Sequence, residues 1–460
     1  MARGIYFTTS SGNQYFYDDT SGFIYPKDRV AICVQENSGT QNIPLSKEVI
    51  EKYLSVHGFK QLLLETTQSC NLRCKYCCYS EHYYSTRNHG TQRLDMMTAQ
   101  KAVDYYLTNW LTVYHRNPMR HPVISFYGGE PLLNYPLIQN VIGYIKEKYP
   151  DIHPDYNMTT NGTLLTEQIG DFLVENNFSI LFSLDGDKEN HDRNRVKIDN
   201  TGSFDTAFRN LQSFRDKYPS YKKIGLSVSF DYDTDLQKVA NFVQENDLFV
   251  VVANMISTLE TDYYNKFSAE SINRFQKQLE KMRKRYFDLA KTKGILLSTE
   301  NLLLSLFGFG YIEFSSHPIL NQNRPSFMPF TGSCVPGEKI YVTVDGIFHA
   351  CERINPNFPI GNVNDGLDIE KIVDYINFYN EETRRCINCN VTRFCDMCLA
   401  KATNKNSINI AIEDCHKKNE YVKNMLVSYV DIMEENPEQL DSVITNYYED
   451  LHKKIGNIFD

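Results

Sequence analysis

From residue 61 to 256, six short apolar runs alternate with amphipathic segments. This alternation restricts the chain to parallel strands joined by crossover helices. The runs are 61–65, 123–127, 156–160, 179–184, 224–230 and 249–256. Between them, apolar residues return every three or four positions over 98–114, 137–148, 166–176, 206–217 and 235–245, as on helices that bury one face. Six strand–helix units predict an α/β fold, an open and partial (β/α)6 barrel. The chemistry of such barrels sits on loops at the carboxyl ends of the strands.

The loop after the first run carries Cys70, Cys74 and Cys77, a Cys-x₃-Cys-x₂-Cys cluster directly following Leu62-Leu63-Leu64. Three thiolates can hold three irons of a [4Fe–4S] cube, which normally takes a ligand on each iron. The fourth iron is then open to a small molecule. The start Met1-Ala2-Arg3-Gly4 opens no signal peptide, and no apolar stretch approaches the roughly 20 residues of a membrane helix. A cytoplasmic protein without a membrane partner is the expectation. In a reducing compartment twelve cysteines are better metal ligands than disulfide partners. A formal charge of −9 gives no whole-chain attraction to phosphate, so no nucleic-acid partner is expected.

Seven further cysteines gather near the carboxyl end: Cys334, Cys351, Cys386, Cys389, Cys395, Cys398 and Cys415. Asp345-Gly346 turns a hairpin between 340–344 and 347–350, which returns Cys351 toward Cys334. By spacing alone, the Cys386 to Cys398 group also reads as a zinc ribbon. Cys33 and Cys78 are read as small buried hydrophobes. Polar tips close the other strands: Tyr127-Gly128-Gly129-Glu130-Pro131, Thr159-Thr160-Asn161-Gly162 and Ser183-Leu184-Asp185-Gly186. Taken singly, the Asn-Gly and Asp-Gly pairs also read as ordinary tight turns.

The first cluster, followed by these tips in this order, resembles the radical S-adenosylmethionine (SAM) superfamily. The resemblance implies that the methionine amine and carboxylate fill the open iron. The glycines at 128 and 129 would let backbone approach a ligand, with Glu130 or a backbone carbonyl holding the amine. Thr160, Asn161, Ser183 and Asp185 would face ribose and substrate. Arg195 resembles the family arginine that pairs with the SAM carboxylate, and Ser229 is a second candidate for it, or else a strand serine facing solvent. No catalytic side chain is named.

The carboxyl-terminal cysteines are similar to the SPASM extension, whose cysteines bind two auxiliary [4Fe–4S] clusters. Its connectivity would place Cys386, Cys389, Cys395 and Cys415 on the outer cluster and Cys334, Cys351 and Cys398 on the inner one. One departure is that two residues separate Cys395 from Cys398 where the family usually has three. Seven ligands leave one iron open unless Cys33 or another side chain fills it. The implied cofactors are SAM and three [4Fe–4S] clusters. The implied partners are a precursor peptide with a leader and an external electron donor such as flavodoxin or ferredoxin.

The tyrosines after the third cysteine, Tyr79, Tyr83 and Tyr84, resemble the maturases of cysteine-rich ribosomal peptides, which join a cysteine sulfur to a carbon as a thioether. A sulfatase maturase and a maturase forming carbon–carbon crosslinks or epimers remain alternatives. Outside enzymes, an iron–sulfur electron carrier and a zinc-stabilised module remain. The expected domains are a small α+β region at 1–60 (a hairpin and a helix that recognise peptide or simply cap the fold), the barrel at 61–260, a helical linker at 261–330 and the SPASM region at 331–460.

Overall fold

The computed structural model describes residues 3–30, 44–84, 86–258, 260–293, 301–308, 334–404, 406–435 and 437. Strands β1 (Gly4–Thr8), β2 (Gln14–Asp18) and β3 (Ile24–Pro26) form a small antiparallel sheet. The sequence reading missed β1. Its register opposes Ile5 to Tyr17 and Phe7 to Tyr15, so alternate side chains of both strands share one face. Phe7 and Tyr17 on that face pack with Val391, Phe394, Val422, Leu426 and Val430, so the sheet is buried against the carboxyl-terminal region. Helix α1 (Lys47–His57) follows and buries Ile50 and Leu54 in the main core.

The central layer repeats strand and helix: β4 (Gln61–Thr67), α2 (Met96–Tyr114), β5 (Val123–Gly128), α3 (Tyr135–Lys148), β6 (Asp155–Thr160), α4 (Glu167–Glu175), β7 (Ser179–Ser183), α5 (Lys188–Asn194), α6 (Phe204–Lys217), β8 (Ile224–Phe230), α7 (Leu236–Glu245) and β9 (Val250–Met255). The six strands lie side by side, all parallel and in chain order. Leu62, Leu64, Ile124 and Phe126 are fully buried, as parallel strands covered by crossover helices must be. The helices present matching apolar stripes; α2 buries Ala99, Ala102, Val103, Tyr106, Leu107 and Trp110. Side-chain caps fix several helix starts, with Asp95, Thr166 and Asp235 accepting from first-turn amides. Because every strand runs the same way, all six polar tips emerge at one end.

Helix α8 (Ala269–Lys293) buries Phe275, Met282 and Tyr286, while Arg283 pairs with Glu280 on its outer side at 3.1 Å. Among the described residues no helix is long and apolar enough to cross a membrane. The hairpin forms from β10 (Lys339–Val342) and β11 (Ile347–His349), with Gly346 at φ +80° in its turn. Strands β12 (Gly361–Asn362) and β13 (Gly366–Leu367) extend it. Its placement is new relative to the sequence: β10 pairs in parallel with β4, making one ten-stranded sheet in the order β13-β12-β11-β10-β4-β5-β6-β7-β8-β9. The cysteine-rich region therefore covers an edge the barrel would otherwise leave unpaired. Helices α9 (Ile369–Glu382) and α10 (Ile412–Glu435) follow, with Cys415 inside the first turn of α10.

Candidate active site

The segment leaving β4 is held in place by its neighbours. Arg73 N donates to Val196 O at 2.7 Å, Lys75 N to Asn194 O at 2.9 Å and Cys77 N to Cys74 O at 3.0 Å. Cys70, Cys74 and Cys77 are each half-buried and lie within electrostatic reach of one another. Burial, followed by the charge of Glu130, pushes the Cys70 thiol up to about 12. Burial likewise pushes Cys74 up to about 12, against the pull of Arg195.

Every one of the three sulfurs meets an N–H donor. Leu72 N lies 3.4 Å and Asn161 Nδ2 3.9 Å from Cys70 Sγ, Arg195 Nη1 lies 3.9 Å from Cys74 Sγ, and Tyr79 N lies 3.5 Å from Cys77 Sγ. Such donors stabilise thiolate charge and tune the potential of a cluster bound there. Among the described residues no three His, Cys, Asp or Glu side chains converge on one point as around a single ion. A cube with one thiolate per iron requires no such convergence, so this donor set fits the four-iron group.

The glycines at the tip of β5 pack against the backbone leaving β4. Gly128 has φ +135°, Gly129 N donates to Thr67 O at 2.8 Å, and Glu130 N donates to Ser69 O at 2.9 Å. A Cβ on Gly129 would stand 2.1 Å from Ser69 O. Gly129 thus lies close against the backbone entering the first cysteine. Glu130 is 1% exposed. Its Oε1 accepts from Thr160 Oγ1 at 2.7 Å and Leu132 N at 3.2 Å, and its Oε2 accepts from Asn161 N at 2.8 Å. Burial raises its pKa despite these bonds. Glu130 ties the tips of β5 and β6 together beside Cys70, and Thr160 is spent on it. Asn161 turns its amide to Cys70 and to Asn71 Oδ1 at 3.0 Å.

The next tips form a second network. Asp185 Oδ2 accepts from Tyr76 OH at 2.5 Å and Arg195 Nε at 3.0 Å, while Oδ1 accepts from Ser229 N at 3.0 Å. Asp185 was expected to face ribose or substrate; both its oxygens are instead engaged in holding Tyr76, Arg195 and β8. Ser229 enters through its backbone amide. Ser183 is buried on β7, in register with Ser227. Arg195 is 8% exposed, with its guanidinium 5.5 Å from the centre of the Tyr76 ring and its Nη1 toward Cys74.

Behind it, His191 Nε2 and Ser203 Oγ are 2.9 Å apart, and Ser203 Oγ donates to Arg195 O at 2.8 Å. Burial and Arg195 hold His191 neutral. Sequence reasoning missed Tyr76, which lies inside the cluster motif, and Asp231, which closes β8 much as Asp185 closes β7. Asp231 accepts from Arg193, Asn194 and Tyr263 and so anchors α5, whose carboxyl cap is Arg195.

At the carboxyl end, Cys386 lies within electrostatic reach of Cys389, Cys395 and Cys415, so the four cysteines assigned to one cluster gather. Cys351 is similarly near Cys398. Cys334 is exposed and beside Tyr53. Cys78 is half-buried against Cys77, and Cys33 lies outside the described residues.

Residues 64–243 match the model of the Radical SAM superfamily. That stretch is a radical SAM domain. It is 23% identical over 368 residues to the radical SAM cyclopropyl synthase TigE of Paramaledivibacter caminithermalis, an alignment covering 78% of this chain and 72% of that one. It is 29% identical over 193 residues to a cysteine-type anaerobic sulfatase-maturating enzyme of Clostridium novyi, covering 41% of this chain and about half of the relative, 49%. The solved structure of native anSMEcpe with bound AdoMet shares the fold, with a TM-score of 0.58 at 19% identity over 84% of this chain and 99% of that one. For a radical SAM enzyme the family implies SAM and a [4Fe–4S] cluster, and Cys70, Cys74 and Cys77 fall within the matched residues. The seven later cysteines lie beyond them.

Proposed function

We propose that this radical SAM enzyme modifies a ribosomally made precursor peptide, forming a thioether between a cysteine sulfur and a carbon of another residue. The observation that carries the radical step is the set of three half-buried thiols, each met by an N–H donor, at the end where all the parallel strands open. Cys70, Cys74 and Cys77 would hold the cluster. When bound there, SAM and the cluster supply reductive cleavage to methionine and a 5′-deoxyadenosyl radical that removes hydrogen from an unactivated carbon.

The chain's own residues position and shield. Glu130 and the backbone around Gly128 and Gly129 fix the loop that carries Cys70. Asp185 orients Arg195, whose guanidinium offers a carboxylate-matching fork next to Cys74. Thr160, Asn161 and the backbone amide of Ser229 brace these groups, which keeps the site stiff before ligand arrives.

The peptide part of the reading is supported by the tyrosine-containing segment after Cys77, by the SPASM-like cysteines and by similarity to sulfatase-maturating enzymes. Two auxiliary clusters would lie in residues 331–460, the outer on Cys386, Cys389, Cys395 and Cys415 and the inner on Cys334, Cys351 and Cys398; the gathering of the first four and the nearness of Cys351 to Cys398 support this. Residues 1–60 present leader peptide or cap the fold, the linker is 261–330, and the protein works in the cytoplasm with an external electron donor. A carbon–carbon bond is the second reading, favoured by similarity to TigE over 78% of the chain.

The test is anaerobic reconstitution with SAM, dithionite and a cysteine-rich peptide encoded beside the gene. Mass spectrometry that shows loss of two hydrogens with one thiol consumed supports the thioether. The same loss with all thiols intact supports the carbon–carbon bond, and absence of 5′-deoxyadenosine overturns both.

A further inference from the structure

The segment from Cys70 to Cys77 has an outer face that the site leaves unused. Arg73 and Lys75 are exposed on it. The antiparallel bridge between Leu72 and Lys197 brings Lys197 to the same edge, and the neighbouring Ile198 is 64% exposed. Asn71, Leu72, Thr163, Lys197, Ile198 and Asp199 line a pocket of about 340 Å³. Among the described residues none of Arg73, Lys75 or Lys197 has a carboxylate within ion-pair distance, and Lys75 feels the like charge of Lys266. Asp199, the pocket's one carboxylate, accepts from Thr201 N at 3.0 Å and Thr201 Oγ1 at 2.6 Å and lies within electrostatic reach of Lys197, which it offsets in part. On a chain of formal charge −9, three cations to one carboxylate around an exposed aliphatic side chain run against the prevailing sign.

We infer that this face docks a small acidic one-electron carrier protein, which reduces the cluster held by Cys70, Cys74 and Cys77. The inference rests on the radical SAM reading, because that chemistry is what requires an electron here. Charge complementarity selects an acidic partner, and an apolar centre with a charged rim suits a small, transient redox encounter. Asn71, Leu72 and Arg73 lie between two cluster ligands, so a docked carrier reaches the cluster through the loop itself. One electron leaves the carrier and enters the cluster. The carrier is oxidised by one, the cluster is reduced by one, and no bond or proton changes hands. Unpaired surface charge accelerates such an encounter by about tenfold or more, and salt removes the gain.

The test uses the full chain, anaerobically reconstituted, with reduced flavodoxin as the probe and dithionite as the charge-insensitive control. Arg73 is left alone because its Nη1 donates to Cys70 O and Leu72 O and so shapes the cluster loop. The Lys75→Glu/Lys197→Glu double variant is expected to slow flavodoxin-driven bleaching of the iron–sulfur absorbance about tenfold at low salt. It should also weaken binding of oxidised flavodoxin, read from flavin fluorescence, and leave dithionite-driven reduction within about twofold of the parent. Raising ionic strength should slow the parent with flavodoxin only. Equal flavodoxin rates in parent and variant overturn the surface, as does an equal loss with dithionite. If the parent cluster is reduced but SAM is not cleaved, the radical reading fails while the absorbance assay still decides the surface.

Discussion

Asp231→Asn tests the bracing of Arg195 by a group that touches neither thiols nor ligand. The Asp231 side chain is fully buried. It accepts from Arg193 Nη1 at 2.7 Å, Tyr263 OH at 2.6 Å, Asn194 Nδ2 at 3.0 Å, Asp233 N at 3.0 Å and Thr234 Oγ1 at 3.2 Å. Burial works against its charge, but Arg193 and the hydrogen bonds outweigh it and lower the pKa from 3.8 to about 2. Asparagine has nearly the shape of the neutral acid, so the variant should lose what the charged form contributes. At about 1.4 kcal/mol per unit this is about 2 kcal/mol at pH 7.

The folded pKa is depressed, so this stability is complete above the unfolded value and lost as pH falls from 3.8 toward 2. The difference between parent and variant, measured by urea unfolding under reducing anaerobic conditions, should shrink to about 1 kcal/mol at pH 3. Because α5 ends at Arg195, SAM affinity at pH 7 should also fall. A difference that stays constant between pH 7 and pH 3, or stays below about 0.5 kcal/mol at pH 7, refutes the role assigned to the Asp231 charge.

Replacing Cys70, Cys74 and Cys77 together by alanine should abolish 5′-deoxyadenosine release and lower iron from about twelve to about eight per chain, because the remaining cysteines lie in other elements. Asp185→Ala should weaken SAM binding in equilibrium dialysis, since Tyr76, Arg195 and Ser229 N lose one shared acceptor; unchanged affinity would remove Arg195 from the carboxylate role. Asn161→Ala should lower the midpoint potential of the first cluster by removing a donor to Cys70 Sγ, which a redox titration followed by electron paramagnetic resonance reads. Gly129→Ala should impair cluster loading, because a Cβ 2.1 Å from Ser69 O has backbone against it.

The parallel strands were legible because strands buried on both faces read as apolar runs, and the helices because one face of each is apolar. Strand β1, with one apolar face and only five residues, was not. Nor was the pairing of β10 with β4, which depends on contacts more than 270 residues apart that no local period records. Within the site, the polar tips announced position but not partner. Asp185 and Glu130 were picked out by their place after a strand, yet they bind neighbouring strands and loops rather than facing outward. Asp231 carried the same signal after Phe230. Tyr76 was hidden inside the motif whose cysteines drew attention first.

The central claim is tested most directly by 5′-deoxyadenosine release from SAM by the anaerobically reconstituted chain with dithionite, compared with the triple cysteine variant. The account predicts release by the parent that requires reductant and is absent from the variant. Release from both proteins, or none from a parent whose first cluster is demonstrably reduced, contradicts it.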